Sequence, residues 1–384
     1  MSGLIEPYGG RLVDCLAGEK ESERIQRESQ DLPRIHTILD QIYDAEKIGI
    51  GAYSPLEGFM CSSDYQSVLL RGVLSNGLPW SMPVILTPTR YDGEFGAGDT
   101  IALTDLEGNV FATVQVEDIF TFDRKSYAQN VYGTSDPSHP NVAELPSFGD
   151  RSIGGRVRLL KRLKLPSVKY ELTPKETREY FAKMGWRRVA GYQARNPPHT
   201  AHEYIQRVTL EREDVDALFI QPIVGKLKKG DYKPEIIMKA YEAFVSNYYT
   251  KERVLLGSLS IAMRYAGPKA VLFYAIIRRN YGCSHYIVGR DQAGVGSFYD
   301  PYAAHRIFDT YDVGVVPLRY QESFYCLRCG MMASSKICPH TVDERLNVSQ
   351  TKIRRMLAEK EKIPEQILRP EVARILSEPN VMIE

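Results

Sequence analysis

The chain has 384 residues, 43% of them apolar, with 49 Lys and Arg against 48 Asp and Glu, a formal net charge of +1. This is the composition of a globular protein with room for two or three domains, neither disordered nor collagen-like. Such balanced charge argues against a surface built as a whole for nucleic acid or anionic lipid, and leaves room only for local basic pockets. No apolar run approaches the roughly 20 residues of a membrane span. The first residues lack the charged and apolar regions of a secretory signal, so a cytoplasmic protein without nucleic-acid or membrane partners is expected.

Up to about residue 160 the pattern is short β-like runs separated by Gly, Pro, Asn and Asp. Helical patches are expected over residues 22–42 and 63–70. Residues 100–116 hold two period-2 runs around Gly108-Asn109, which predicts a hairpin. The stretch 135–155, rich in Pro, Ser and Gly, reads as the connection to the next domain. The pattern then changes. Thr173 as N-cap, Pro174 at the first helical position and Glu176 completing a capping box start a helix that Gly185 stops. Apolar runs at 189–192, 217–223, 254–259, 286–288 and 313–318 then alternate with helix-length segments. That alternation predicts an α/β architecture: a mainly parallel sheet, covered on both faces, with ligands at the carboxyl ends of its strands. Two helices are expected near the end, over 351–360 and 370–377.

Two segments stand where predicted strands end. The first, GYQARNPPHTAHE at 191–203, supplies the fork of Arg195, the amides of Gln193 and Asn196, and a helix start with free backbone N–H groups. His199 and His202, three apart, would share a helix face and could donate to one polyphosphate. A polar turn with two surface histidines is the plainer reading, and a metal pair is disfavoured because HExxH is absent. The second segment, GRDQAGVG at 289–296, follows a predicted strand. Its small residues let backbone approach a ligand, and Arg290 could neutralise phosphate. It is not GxGxxG, and no GxxxxGK[ST] occurs, which disfavours a P-loop kinase or ATPase. The basic loop VGKLKKGD at 224–231 is equally readable as a solvated turn or as a lid whose lysines close over phosphates.

Of the six cysteines, Cys326, Cys329 and Cys338 crowd into one window with His340. Cys-x2-Cys followed by Cys-x-His supplies four ligands for a closed tetrahedral zinc site, with a redox pair or buried thiols as alternatives, and the fourth ligand is the least defined. Cys15, Cys61 and Cys283 read as packed side chains. Ser349 would cap a helix on which Arg354 and Arg355 read as surface charges, with a role near the nucleotide or in subunit contact as the alternative.

Together these segments resemble the sulfate adenylyltransferase (ATP sulfurylase) family over nearly the whole chain. SPLEGFM at 54–60 is similar to the family's sPLxGFM, residues 193–202 to its QxRNPxHxxH, 289–296 to its GRDxAGxG, and 224–231 to its basic loop. The resemblance implies a β-rich PUA-like N-terminal domain (1–165), a Rossmann-like nucleotidyltransferase domain (166–322) and a small zinc-containing C-terminal domain (323–384). It implies the reaction of ATP with sulfate to give adenosine 5′-phosphosulfate and pyrophosphate, reversible to form ATP, with Mg²⁺ accompanying ATP, and a homo-oligomer. Gln193, Arg195 and the backbone N–H of Ala293 would hold sulfate. Arg195, Asn196, His199 and His202 would be catalytic, and Gln193, Asn196, His199, His202, Gly289, Arg290, Asp291 and Gln292 would contact the nucleotide. Cys326, Cys329, Cys338 and His340 would bind structural Zn²⁺.

Ala194 stands where the family often has Thr, and Gln292 where it often has His. With the Cys/His window, they make the chain similar to members from sulfur-oxidising and sulfate-reducing microbes. The chemistry is consistent: sulfate is already ionised and needs no general base, so alignment and charge stabilisation must carry catalysis. The competing readings are an adenylyltransferase with another acceptor and a non-catalytic zinc-bearing RNA-binding module.

Overall fold

The alternating runs of the first 160 residues pair into one six-stranded sheet, seen in a computed structural model that describes residues 3–164 and 167–383. The domain boundary expected between 165 and 166 lies outside the described residues. This half runs α1 (Glu19–Glu28), β1 (Arg34–His36), α2 (Leu39–Gly49), β2 (Gly58–Phe59), α3 (Ser62–Arg71), β3 (Tyr91–Asp92), β4 (Thr100–Thr104), β5 (Val110–Thr121), α4 (Arg124–Tyr132), α5 (Pro140–Glu144) and β6 (Arg151–Leu159). The strand order is β2-β6-β5-β4-β1-β3. The expected hairpin is β4 and β5, its turn held by Asp105 Oδ1, which accepts the backbone N–H groups of Glu107 and Asn109 at 3.0 and 2.8 Å.

Two expectations for this half are corrected. The helical patch over 22–42 is two helices interrupted by β1, because Pro33 cannot continue a helix and the fully buried Ile35 is drawn into parallel pairing with Leu103. The stretch 135–155 is no linker, since it contains α5 and half of β6. Its Pro140 opens α5. Its glycines lie where backbones press together: a Cβ on Gly154 would sit 2.6 Å from Cys61 Cα, and one on Gly155 2.1 Å from the Gln115 carbonyl oxygen. Compositional bias there reflects packing constraints.

The second half begins with α6 (Pro174–Lys183), whose Thr173–Glu176 capping box forms as expected. It continues through β7 (Val189–Tyr192), α7 (Thr200–Leu210), β8 (Ala217–Ile220), α8 (Pro234–Tyr248), β9 (Val254–Leu256), α9 (Pro268–Asn280), β10 (His285–Val288), α10 (Ala303–Thr310) and β11 (Val316–Arg319). All five strands are parallel, in the order β11-β10-β7-β8-β9. Alternate residues of β8 serve different cores: Ala217 and Phe219 pack with α9, Leu218 and Ile220 with α8. Both faces are therefore covered, as the continuous apolar strands predict. After β11 come a small antiparallel sheet of β12 (Ser323–Cys326), β13 (Met331–Ser334) and β14 (Arg345–Leu346), then α11 (Gln350–Ala358) and α12 (Pro370–Leu376). Buried residues of both last helices join the core shared by α7 and α8.

The halves meet along α2, where buried charges pair across the junction. Lys47 Nζ lies 2.7 Å from a Glu171 oxygen, Glu171 also accepts from Ser258 and Ser260, and both Asp44 oxygens accept from Arg264 Nη2, at 2.9 and 2.7 Å. This docking orients the loop containing Arg264 and Tyr265 that borders the cleft described next.

Candidate active site

Adjacent strands β7 and β10 run parallel, Tyr286 opposite Gly191, but the chain leaves β7 toward β8 and returns to β10 on the other side. At such a switch point the loops after the two strands diverge and leave a crevice. The crevice here is a cleft of about 290 Å³. Into it the structure brings Gln193, Arg195, Asn196, His199 and His202 from the first loop and Gly289, Arg290, Asp291, Gln292 and Ala293 from the second. Every candidate of these two loops thus lines one cavity.

Arg195 lies with its guanidinium carbon 4.9 Å from the centre of the Tyr265 ring, and its buried Nη1 has no partner among the described residues. Tyr265 is held by α5, where Asn141 Oδ1 accepts its backbone N–H at 2.8 Å. Aromatic support, with no carboxylate in ion-pair contact among the described residues, leaves the guanidinium fork available to an oxyanion.

His199 is the N-cap of α7, and its Nδ1 accepts the backbone N–H of His202 at 3.4 Å, which puts its own ring proton on Nε2. The two rings stack, centroids 3.7 Å apart. Burial pushes both imidazoles down, His199 well below its ordinary range and His202 to about 4, so near pH 7 both are neutral. They offer N–H donors and no formal charge. The expectation of free backbone N–H groups at this helix start is corrected for two of them: the N–H of Thr200 goes to Ile367 and that of His202 to His199, while that of Ala201 has no acceptor among the described residues. The reason is that the C-terminal segment packs against the start of α7.

That segment supplies a residue the sequence reading placed on the surface. Arg354 Nη2 of α11 reaches Asn196 Oδ1 at 2.9 Å and Asp231 Oδ1 at 3.0 Å, while Gln350 of the same helix donates to the Pro197 carbonyl at 2.8 Å. With Asn196 Oδ1 engaged, its amide N–H groups are left for a ligand. Ser323 and Val348, which flank the Cys/His window, also line the cleft. No spacing signal marks any of these, because their relation to Asn196 arises from how distant segments pack.

In the second loop Asp291 and Ala293 adopt left-handed backbone, φ 52° and 56°. Such conformations in non-glycine residues concentrate at functional sites. The Ala293 carbonyl accepts the Gly267 N–H at 3.1 Å, and its own N–H has no acceptor among the described residues. Burial raises the Asp291 carboxyl above its ordinary range. Arg290 is partly exposed, 3.8 Å from Glu322. The lid reading fails for Lys226, whose ammonium is held by Asp40 at 2.8 Å and Glu144 at 3.1 Å; Lys228 and Lys229 are exposed, Lys228 near the Tyr265 ring.

Apart from the cleft, Cys326, Cys329, Cys338 and His340 bring their ligand atoms within 4.8 Å of one another. His340 Nδ1 lies 3.2, 3.2 and 3.4 Å from the three sulfurs, and Cys329 and Cys338 sulfurs are 3.9 Å apart. One tetrahedral ion with bonds of about 2.0–2.3 Å requires ligand separations of roughly 3.5–3.8 Å, so the four donors fit a single site.

A family model described as ATP-sulfurylase matches residues 168–379, and one described as PUA-like domain matches residues 5–162. The chain is 46% identical over 383 residues to a sulfate adenylyltransferase of Symbiobacterium thermophilum, covering 98% of this chain and 97% of that one. It is 45% identical to a sulfate adenylyltransferase of Hyperthermus butylicus, with the same coverage of both. Among solved structures, a hexameric APS kinase from Thiobacillus denitrificans superposes with a TM-score of 0.77 at 27% identity, over 97% of this chain and 68% of that one. With a cleft assembled from both of its signature loops and matches along nearly its whole length, the chain belongs to the ATP-sulfurylase, or sulfate adenylyltransferase, family.

Proposed function

We propose that the cleft joins sulfate to the adenylyl group of ATP. A sulfate oxygen attacks the α-phosphorus in line, the new S–O–P bond forms, and the α–β P–O bond breaks with its electron pair leaving on pyrophosphate. No proton need move in either direction. The observation that carries this reading is the convergence of hydrogen-bond donors from two adjacent strand ends on one cleft, with Gln193, Arg195 and the Ala293 N–H forming a face that offers donors only.

On that face sulfate sits with its negative charge matched by Arg195. Asn196, His199 and His202 lie along the first loop, where their N–H groups stabilise charge building on the α–β bridge as pyrophosphate departs. Because the imidazoles are neutral, they act as oriented dipoles. The loop at 289–292 lies against the nucleotide, with Arg290 near its phosphates. Mg²⁺ enters with ATP as part of the substrate. Alignment of two anions, which repel in water, supplies much of the rate enhancement.

Zinc suits the Cys326, Cys329, Cys338 and His340 set, where it would cross-link a ribbon whose own buried cluster is small. One zinc per chain by elemental analysis is the expected result. The PUA-like unit would span 1–165, the catalytic unit 166–322 and the C-terminal unit 323–384. No helix among the described residues is long and apolar enough to cross a membrane, which accords with a cytoplasmic enzyme. The hexameric relative suggests a homo-oligomer, testable by light scattering.

Purified protein given MgATP and sulfate with pyrophosphatase should accumulate adenosine 5′-phosphosulfate, and given that product with pyrophosphate should form ATP. Absence of turnover in both directions would overturn the proposal. Chlorate or molybdate should compete with sulfate, which an acceptor of another shape would not permit.

A further inference from the structure

Beneath the cleft, three side chains form a hydrogen-bond chain that joins its two loops. Gln292 Oε1 accepts the backbone N–H of Gly289 at 2.9 Å, Gln292 Nε2 donates to Tyr286 Oη at 2.8 Å, and Tyr286 Oη donates to Gln193 Oε1 at 3.3 Å. Its direction follows from its first member. A backbone N–H can only donate, so the Gln292 oxygen must face Gly289 and its NH₂ must face Tyr286. With its oxygen taking that donor, the Tyr286 hydroxyl is left to spend its proton on Gln193, so the Gln193 oxygen points down into the chain. The NH₂ of Gln193 then has no acceptor among the described residues and opens on the cleft. Tyr286 is fully buried and Gln193 is 8% exposed, so water does not readily substitute for either bond.

We propose that Tyr286 and Gln292 are specificity-determining positioning residues: by locking Gln193 with its NH₂ toward the acceptor oxyanion, they keep its carbonyl away from the face formed by Gln193, Arg195 and the Ala293 N–H, so that this face offers donors only. This rests on the reading of the cleft as the sulfate site. A pocket of donors alone accommodates an oxyanion with no proton, such as sulfate. It disfavours hydrogen phosphate, which has the same shape and charge near pH 8 but carries one O–H that would be buried without an acceptor. Freed from Tyr286, the Gln193 amide can turn over, present its carbonyl to that O–H, and lose a donor to sulfate.

Tyr286→Phe removes only the hydroxyl, and Gln292→Met removes the group that directs it. The readouts at pH 8 are the KM for sulfate, the KM for MgATP and the inhibition constant of inorganic phosphate against sulfate, with thermal unfolding as the fold control. In Tyr286→Phe the KM for sulfate should rise about three- to tenfold, the worth of one hydrogen bond, and phosphate should inhibit more strongly relative to that KM, while the KM for MgATP stays within about twofold. Gln292→Met should shift the phosphate-to-sulfate ratio in the same direction by less, and it decides the matter if Tyr286→Phe does not fold. An unchanged phosphate-to-sulfate ratio in the folded variants, or equal weakening of sulfate, phosphate and MgATP in Tyr286→Phe, overturns the proposal. A wild-type protein inert in both directions overturns the reading of the cleft instead.

Discussion

Along the junction of α2 with the loop at 258–264, Asp44, Glu46, Lys47, Glu171 and Arg264 are buried and all have partners inside the protein. In the cleft, some 290 Å³ in volume, Arg195 Nη1 and His202 Nδ1 are equally withdrawn from water and have no partner among the described residues. Both regions incur the cost of burying polar groups. At the junction the Lys47–Glu171 and Asp44–Arg264 pairs join opposite halves of the chain, so satisfying them specifies how the halves dock. In the cleft, on the function proposed, the anionic oxygens of sulfate and ATP would complete the set. What sets the cleft apart is that its unpaired buried atoms, Arg195 Nη1 and His202 Nδ1, belong to residues that line an open cavity.

The largest expected effect comes from breaking the closed region. Lys47→Met leaves Glu46 and Glu171 facing each other without their shared cation and should destabilise the fold by about 3–5 kcal/mol, read by denaturant unfolding. Adding Glu171→Gln should recover part of that loss; no recovery would show that the charges are not the cause. In the open region, Arg195→Ala should lower turnover by at least about 10²- to 10³-fold while the unfolding midpoint holds or rises, since a ligandless buried charge is removed. Normal activity with sulfate would refute the assigned pocket.

Arg354→Ala lies between the two regions, for it pairs with Asp231 yet also orients Asn196. A loss of about tenfold in kcat/KM is expected, and it should largely vanish in an Asn196→Ala background if Arg354 acts through that amide. The smallest effect distinguishes the regions by pH. Lys47 and Arg162 outweigh burial and hold Glu46 below its ordinary range, so its contribution to stability is present above the usual carboxylate values and is lost as pH falls through the depressed one. His199 and His202 are depressed by burial, so folding favours their neutral forms, and the penalty develops from the ordinary imidazole range down to about 4 for His202. Free-enzyme kcat/KM should therefore show no imidazole limb between about pH 6 and 8. A limb near 6.5 would show that one ring is solvated or charged.

Much of the cleft was legible because strand ends and helix starts are local events. Apolar run length located β7 and β10, the cap of α6 was spelled out by Thr173 and Glu176, and the donors lie within a few residues of the strand ends. Arg354 was misread because a surface helix with two adjacent arginines looks the same whether or not one of them finds a buried Asp231. Residues 135–155 were misread because Gly154 and Gly155 answer close backbone approach, which composition cannot tell from a flexible linker.

From sequence alone came the α/β order of elements, the two anion-suited loops, the Cys/His window and the limits set by a net charge of +1. Each rests on interactions between neighbours in the chain or on totals. Only the tertiary structure decided that Lys226 turns to Asp40 and Glu144, that His199 and His202 stack in a neutral state, that Arg354 meets Asn196, and that Tyr286 orients Gln193. Those outcomes depend on burial and on partners many residues away, which are set when the two halves and the C-terminal helices pack around the sheet.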